Sequence, residues 1–93
     1  MKNPKAKGSR NELKTIKLLE TCGYECCKSG ASLGLFDVIA INALGVRLIQ
    51  VKSNRDAPPA EREAIKNFPN PPGSIKEIWQ WHDYARAPRI RVL

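Results

Sequence analysis

The chain has 93 residues, with 16 lysines and arginines against nine aspartates and glutamates, and its net charge at pH 7 is +7. This length fits a single domain, residues 1–93, with a modest core, and the positive charge favours a partner rich in phosphate. No apolar run approaches the roughly 20 residues of a membrane span, and the first residues lack the apolar core of a signal peptide, so we expect a cytoplasmic protein.

The pattern along the chain predicts an α/β protein of order αβββαββ, with a mixed central sheet flanked by helices. A first helix over residues 9–22 follows a basic N-terminal segment, residues 1–8, and ends at Gly23. Glu12 should lie on the inward side of its first turn, in line with an apolar stripe made of Leu13, Ile16, Leu19 and Cys22. The other predicted elements are strands over 24–28, 35–41, 46–51, 75–82 and 89–93, and a second helix that follows Asp56, has proline in its first turn and runs to about residue 67.

The three cysteines argue against a metal or disulfide framework. Cys26 and Cys27 are adjacent, so on a strand they would point to opposite faces, a poor arrangement for zinc. We therefore interpret the cysteines as small, reduced core residues of an intracellular protein.

Positive charge is concentrated at two places along the chain. Residues 1–17 contain six basic residues against Glu12 alone, and a second cluster comprises Arg86, Arg89 and Arg91. Both places suit attraction to nucleic-acid phosphates. The alternative is an ordinary solvated basic surface.

The most informative segment is a predicted hairpin that carries three polar residues. The apolar runs 35–41 and 46–51 flank a turn over residues 42–45, which indicates two antiparallel strands. If Ile41 faces Val46, then Asp37 faces Gln50, and opposed side chains lie about 4.5–5.5 Å apart at Cβ. Lys52 shares the face of Gln50 because side chains two residues apart point the same way. A slip of one residue would scatter this cluster, so the interpretation depends on the register.

A carboxylate and an amine on such an apolar hairpin are costly to bury unless each has a partner. Asp37, Gln50 and Lys52 are therefore the candidate active site. The structural alternative is an ion pair between Asp37 and Lys52 that only closes the end of the sheet.

Two tryptophans are predicted to share one face of the fourth strand. Trp79 and Trp81 could stack on bases, but packing in the core or in a dimer interface is the favoured use, because side chains of this size dominate burial in small domains. The single histidine, His82, is interpreted as a surface or hydrogen-bonded residue at the strand end and not as a catalytic base.

Four short segments, in this order and spacing, resemble the PD-(D/E)xK nucleases and are most similar to the archaeal Holliday junction resolvases. The segments are Gly8-Ser9-Arg10-Asn11-Glu12, Ser29-Gly30-Ala31-Ser32, Phe36-Asp37-Val38-Ile39-Ala40 and Ile49-Gln50-Val51-Lys52-Ser53. The resemblance covers roughly residues 7–53. It implies a restriction-endonuclease-like core, DNA as the partner, and a homodimer or higher homo-oligomer.

The resemblance also implies roles for individual residues. Glu12 matches the helix acid that helps hold a metal, Asp37 the acid of the first strand motif, and Lys52 the lysine of the second. The DNA contacts expected from the resemblance and from the basic N-terminal segment are Lys5, Lys7, Arg10, Ser29 and Ser32. Gln50 departs from the pattern, which has Asp or Glu at this place.

The implied function is a metal-dependent DNA endonuclease, structure-specific like the resolvases or site-specific. The expected cofactor is Mg²⁺, with Mn²⁺ as a substitute, held by Glu12, Asp37 and the amide oxygen of Gln50. Because Gln50 removes one negative charge, weaker metal binding is expected. Two alternatives stay open, namely a catalytically inactive nucleic-acid-binding module with the same fold and a basic assembly protein without nuclease chemistry.

Overall fold

The computed structural model describes residues 4–28 and 35–93, with side chains for residues 10–28 and 35–93. The elements have the predicted order αβββαββ. They are α1 (Pro4–Thr21), β1 (Glu25–Lys28), β2 (Val38–Asn42), β3 (Gly45–Ser53), α2 (Pro59–Asn67), β4 (Ser74–Trp81) and β5 (Arg89–Val92). Neither helix is both long enough and apolar enough, in its described residues, to cross a membrane.

The five strands form one mixed sheet in the order β1-β2-β3-β4-β5. All neighbours are antiparallel except β3 and β4, which run parallel and are connected through α2. A parallel pair needs such a crossover, because a short turn can only join antiparallel strands. The prediction of a mixed central sheet is confirmed.

Each face of the sheet carries its own hydrophobic cluster and one helix. Leu19 of α1 packs with Val38, Ala40, Ile49, Trp79 and Trp81 on one face. On the other face, Ile65 of α2 packs with Phe36, Ala57 and Ile78. The two tryptophans are 2% and 4% exposed, so they belong to the core as favoured from the sequence, and His82 is exposed as expected.

The first helix differs from its prediction in both extent and orientation. It begins at Pro4 instead of residue 9, since proline is well accommodated in the first turn of a helix. Leu13 is 49% exposed, so the predicted apolar stripe is wrong at this residue. The buried line instead follows an i, i+4 spacing through Asn11, Thr15 and Leu19, at 6%, 0% and 1% exposure.

The cysteine interpretation is correct in part. Cys26 is half-buried and packs against the α1-side cluster, whereas Cys22 and Cys27 are exposed. Cys22 lies beyond the last helical residue, and Cys27 points away from α1 on the strand. Neither therefore belongs to the core.

A close backbone approach fixes the hairpin turn against the start of β4. Gly45 has φ of 150°, and a Cβ at this position would overlap the carbonyl oxygen of Gly73. The same oxygen accepts a hydrogen bond from the Val46 amide at 3.1 Å. Glycine is needed here both for the backbone angle and for the space.

The second helix is short, and a single residue anchors its face. Ile65 is the one fully buried residue of α2. At its C-terminal end, the buried Lys76 amine donates to the carbonyl oxygens of Lys66 and Phe68 at 2.6 and 2.8 Å. These are carbonyl groups that a helix end leaves without intrahelical partners, and a cation there also suits the helix dipole.

Candidate active site

The hairpin has the register on which the candidate site depends. Ile41 pairs with Val46 and Ile39 with Leu48, as predicted. Beyond the last ladder pair, the amide of Asp37 donates to the Ile49 carbonyl oxygen at 2.8 Å. The ladder itself ends at the pair of Val38 and Ile49. The Asp37 amide bonds to Ile49 instead of Gln50, so the direct pairing of Asp37 with Gln50 stays a prediction.

Asp37 is held in place by the neighbouring strand. Its Oδ2 accepts a hydrogen bond from the Val51 amide at 2.8 Å. Val51 packs with the α1-side cluster, so its neighbours on β3, Gln50 and Lys52, point to the opposite face by strand alternation. The predicted grouping of these three polar residues at one end of the hairpin is consistent with this geometry.

Gln50 is the most deeply buried member of the group, at 6% exposure. Its Oε1 atom is fully buried and has no hydrogen-bond partner among the described residues. A buried polar atom without a partner costs about 1–3 kcal/mol, so such atoms call for an explanation.

Lys52 makes its ion pair with a residue that the sequence did not suggest. Its Nζ lies 2.8 Å from Oε2 of Glu61, in the first turn of α2. The alternative in which Lys52 simply pairs with Asp37 is therefore wrong in its choice of partner. Lys52 is still close enough to favour the ionised form of Asp37.

Glu12 approaches from the other layer. Its side chain is 23% exposed, and its Oε1 lies 3.4 Å from Nζ of Lys28 on β1. The preceding residue fastens the helix to the sheet, because Asn11 Nδ2 donates to Ser53 Oγ at 2.5 Å. Glu12 is partly buried, in keeping with the predicted inward side, but α1 begins at Pro4 and its first turn contains no acidic residue, so the predicted place in the first turn is wrong.

The electrostatic environment of Asp37 shows that these charges act on one another. Burial is the main cause that raises the pKa of its carboxyl group, and the hydrogen bond from Val51 opposes it. Glu12 and Glu61 raise the pKa further, whereas Lys52 lowers it. The net effect is an Asp37 pKa above its usual range, caused mainly by burial of the carboxyl group.

These residues fit a hard divalent cation by their chemistry, although they do not form a closed cage. Across the described part of the chain, no three His, Cys, Asp or Glu residues lie together as a metal-binding group. The available donors are oxygen atoms, which Mg²⁺ prefers: the Asp37 carboxylate, Gln50 Oε1 and, from the two flanking helices, Glu12 and Glu61. Added positive charge would relieve the repulsion at Asp37 and give Gln50 Oε1 a partner.

The predicted DNA contacts are described only in part. Arg10 is exposed on α1. Lys5 and Lys7 belong to α1, but their side chains lie outside the described residues, as do Ser29 and Ser32 entirely. These assignments stay predictions.

Glu61 is the site residue that sequence reasoning missed. An acidic residue in the first turn of a helix is common because it suits the helix dipole, so its presence after Pro59 carried little information. The contact with Lys52 arises from the crossover that returns the chain to the sheet.

Comparison with solved structures assigns this arrangement to a known fold. The chain is similar to Hjc, a Holliday junction resolvase from the archaeal hyperthermophile Archaeoglobus fulgidus, with a TM-score of 0.73 and 23% sequence identity over 92% of this chain and 72% of the resolvase. The two proteins share a fold. No protein-family model matches the sequence, and no curated protein matches it.

The likeness to the resolvase confirms the restriction-endonuclease-like core that the four segments implied. It also confirms the resemblance itself at the level of fold.

Proposed function

We propose that this protein is a metal-dependent DNA endonuclease of the PD-(D/E)xK type. The observation that supports the proposal is the hydrogen bond from the Val51 amide to the Asp37 carboxylate, because Val51 lies between Gln50 and Lys52 on β3. The proposed site combines an acid, a buried oxygen that has no partner among the described residues, and an amine, on a fold shared with a resolvase. The ion-pair alternative explains neither the oxygen of Gln50 nor the repulsion at Asp37.

Phosphodiester hydrolysis requires charge neutralisation at the phosphate and an activated water. A bound divalent cation, Mg²⁺ or in its place Mn²⁺, would supply both. Glu12, Asp37 and Gln50 Oε1 are the proposed ligands in this chain. The Lys52 amine would orient the attacking water or stabilise the charge that develops on the phosphate, as preorganised cations do in phosphoryl transfer.

The proposed substrate is DNA, with Lys5, Lys7, Arg10, Ser29 and Ser32 as contacts to its backbone. A branched substrate such as a four-way junction is the most specific proposal, because the related structure is a Holliday junction resolvase. A homodimer would present two such sites to opposite strands. Its mass in solution, measured by light scattering, should be twice 10.4 kDa.

The decisive test is a cleavage assay on a matched set of DNA molecules. A linear duplex, a single strand, a flapped duplex and a four-way junction of the same sequence are incubated with Mg²⁺, with Mn²⁺ and with EDTA. We expect cleavage with either metal ion and none in EDTA, and a preference for the junction. Lys52→Ala should fold normally and bind DNA but fail to cleave.

One observation favours a second candidate, a DNA-binding module without catalysis. Gln50 supplies a neutral oxygen where a carboxylate would hold a cation more strongly. This candidate predicts DNA binding that neither metal ion changes and no cleavage of any member of the set. Absence of both binding and cleavage would instead favour an assembly protein.

A further inference from the structure

The first turn of α2 brings a third carboxylate to the candidate site. Glu61 Oε2 lies 2.8 Å from Lys52 Nζ, and Glu61 acts on Asp37 as a nearby negative charge. Its orientation is set by the helix, because Ile65 is buried against the sheet four residues later and residues at i and i+4 share a helix face. Glu61 therefore faces the sheet at the end where Asp37, Gln50 and Lys52 lie.

A count of charge at the site indicates why this carboxylate matters. Glu12 is already paired with Lys28 at 3.4 Å, and Gln50 contributes an oxygen without charge. If Asp37 were the one charged ligand, a divalent cation would be bound by a single carboxylate, and the positive amine of Lys52 would lie nearby. A site of this kind binds weakly, because affinity for hard cations depends on the number of charged ligands.

The buried amide oxygen of Gln50 is the independent indication that a ligand belongs here. The side chain is more than nine-tenths buried, yet its Oε1 has no partner among the described residues. It lies on the same face of β3 as Lys52, whose amine touches Glu61. Glu61 is 40% exposed in its side chain, so it can turn from Lys52 toward a cation held between Asp37 and Gln50 without disturbing the core.

We propose that Glu61 supplies, from α2, a further carboxylate to the cation site by turning from Lys52, in place of the acid that position 50 lacks. This inference rests on the proposed function, since it assumes that the site takes a divalent cation. The negative charge would then come from Glu61 on α2, and not from position 50 on β3. In the cation-free protein the same carboxylate neutralises Lys52.

The test moves the carboxylate between the two positions and measures cation binding without DNA. Mn²⁺ affinity is measured by calorimetry for the wild-type protein, Glu61→Gln, Gln50→Glu and the double variant. We expect Glu61→Gln to weaken Mn²⁺ binding by about tenfold or more, and Gln50→Glu to restore it in the double variant. Glu63→Gln is the matched control, because Glu63 lies on the same helix, is exposed and accepts a hydrogen bond from Asn67 one turn later.

Each other outcome overturns the inference in a recognisable way. If Glu61→Gln binds Mn²⁺ with wild-type affinity, Glu61 is only an ion-pair partner of Lys52, and the proposed nuclease function is not affected. Weakened binding that Gln50→Glu does not rescue would mean that Glu61 acts only through Lys52. If Asp37→Asn also leaves Mn²⁺ binding unchanged, the cation site and the proposed function both fail. Thermal unfolding in EDTA checks that every variant is folded, and Glu61→Asp, which shortens the reach and keeps the charge, provides a second measure.

Discussion

Asp37 is maintained in an environment that opposes its charge. Burial, Glu12 and Glu61 all raise the pKa of its carboxyl group, and the Val51 amide and Lys52 compensate only in part. A carboxyl group whose pKa is raised on folding contributes most to stability when it is protonated, and this contribution is lost as the pH rises through the folded pKa. At neutral pH the ionised Asp37 is therefore a cost to the cation-free protein.

We expect Asp37→Asn to stabilise the protein in EDTA while removing its function. The amide oxygen can still accept the Val51 hydrogen bond, while the cost of burying a charge disappears together with the repulsion from Glu12 and Glu61 and the attraction to Lys52. The melting temperature near pH 7 should rise by roughly 2–5 °C, and the gain should vanish as the pH falls toward about 4, where Asp becomes protonated. Thermal unfolding across this pH range measures both effects. A variant that is less stable at neutral pH would contradict the electrostatic argument.

The Asp37→Asn variant should lose DNA cleavage with little loss of DNA binding, because Asp37 is a proposed cation ligand and not a phosphate contact. Full cleavage by Asp37→Asn would exclude the proposed active site.

Another buried acid, Glu77, differs from Asp37 because both of its carboxylate oxygens have partners. Its carboxylate accepts two hydrogen bonds from Arg47, both at 2.9 Å, and one from the Trp79 indole at 3.0 Å. The Arg47 guanidinium also lies over the rings of Tyr24 and Trp79, at 5.4 and 5.3 Å. Removing one member of such a pair leaves an uncompensated buried charge.

Glu77→Ala should therefore destabilise the protein by about 3 kcal/mol. The matched control is Arg91→Ala, which breaks the half-exposed ion pair between Arg91 and Asp56 and should cost less than about 1 kcal/mol. Urea unfolding of both variants gives the comparison. Similar losses for the two would mean that burial of the Arg47 pair does not matter.

At the scale of elements, polar contacts fasten α1 to the sheet. Thr15 is fully buried, donates to the Asn11 carbonyl oxygen at 2.8 Å and accepts the indole N–H of Trp81 at 2.8 Å. Asn11 bonds to Ser53 at the end of β3. These bonds hold the helix that carries Glu12 above the hairpin.

Thr15→Val keeps the shape of the side chain but leaves the Trp81 indole without its acceptor. We expect a loss of about 1–3 kcal/mol in the free energy of unfolding. Thr15→Ser retains the hydroxyl and should lose less, because it gives up only a methyl group. An equal loss in the two variants would show that packing, rather than the hydrogen bond, determines the effect.

These contacts explain where sequence reasoning succeeds and where it fails. The hairpin register is predictable because the turn and the apolar alternation lie within a few residues of each other. The buried face of α1 is not predictable in this way. Asn11 and Thr15 are polar and therefore look like surface residues, and their partners, Ser53 and Trp81, lie on strands far away in the sequence. Glu61 is hidden for the same reason, since its partner lies across the crossover.

At the scale of the whole molecule, the net charge of +7 should make DNA affinity depend strongly on salt. Replacing Lys5, Lys7 and Arg10 with alanine should reduce the slope of log affinity against log salt by about 0.9 for each phosphate that the variant no longer neutralises. Fluorescence anisotropy at several salt concentrations measures the slope. Lys66→Ala, at the opposite helix, is the control and should leave it unchanged. An unaltered slope in the triple variant would remove this part of α1 from the DNA interface.

Because few residues anchor α2, the helix should be locally less stable than the five-stranded sheet. With Ile65 as its one fully buried residue, α2 can open while the five-stranded sheet stays closed, because local opening is cheapest where little apolar surface is buried. We expect the amide of Ile65 to exchange its hydrogen with solvent sooner than that of Ile49 in the central strand, as measured by native-state exchange. Equal protection would mean that helix and sheet open together. If α2 opens locally, Glu61 is near the other proposed cation ligands only while the helix is closed. A cation that bridges Glu61 to the hairpin would therefore slow hydrogen exchange along the helix.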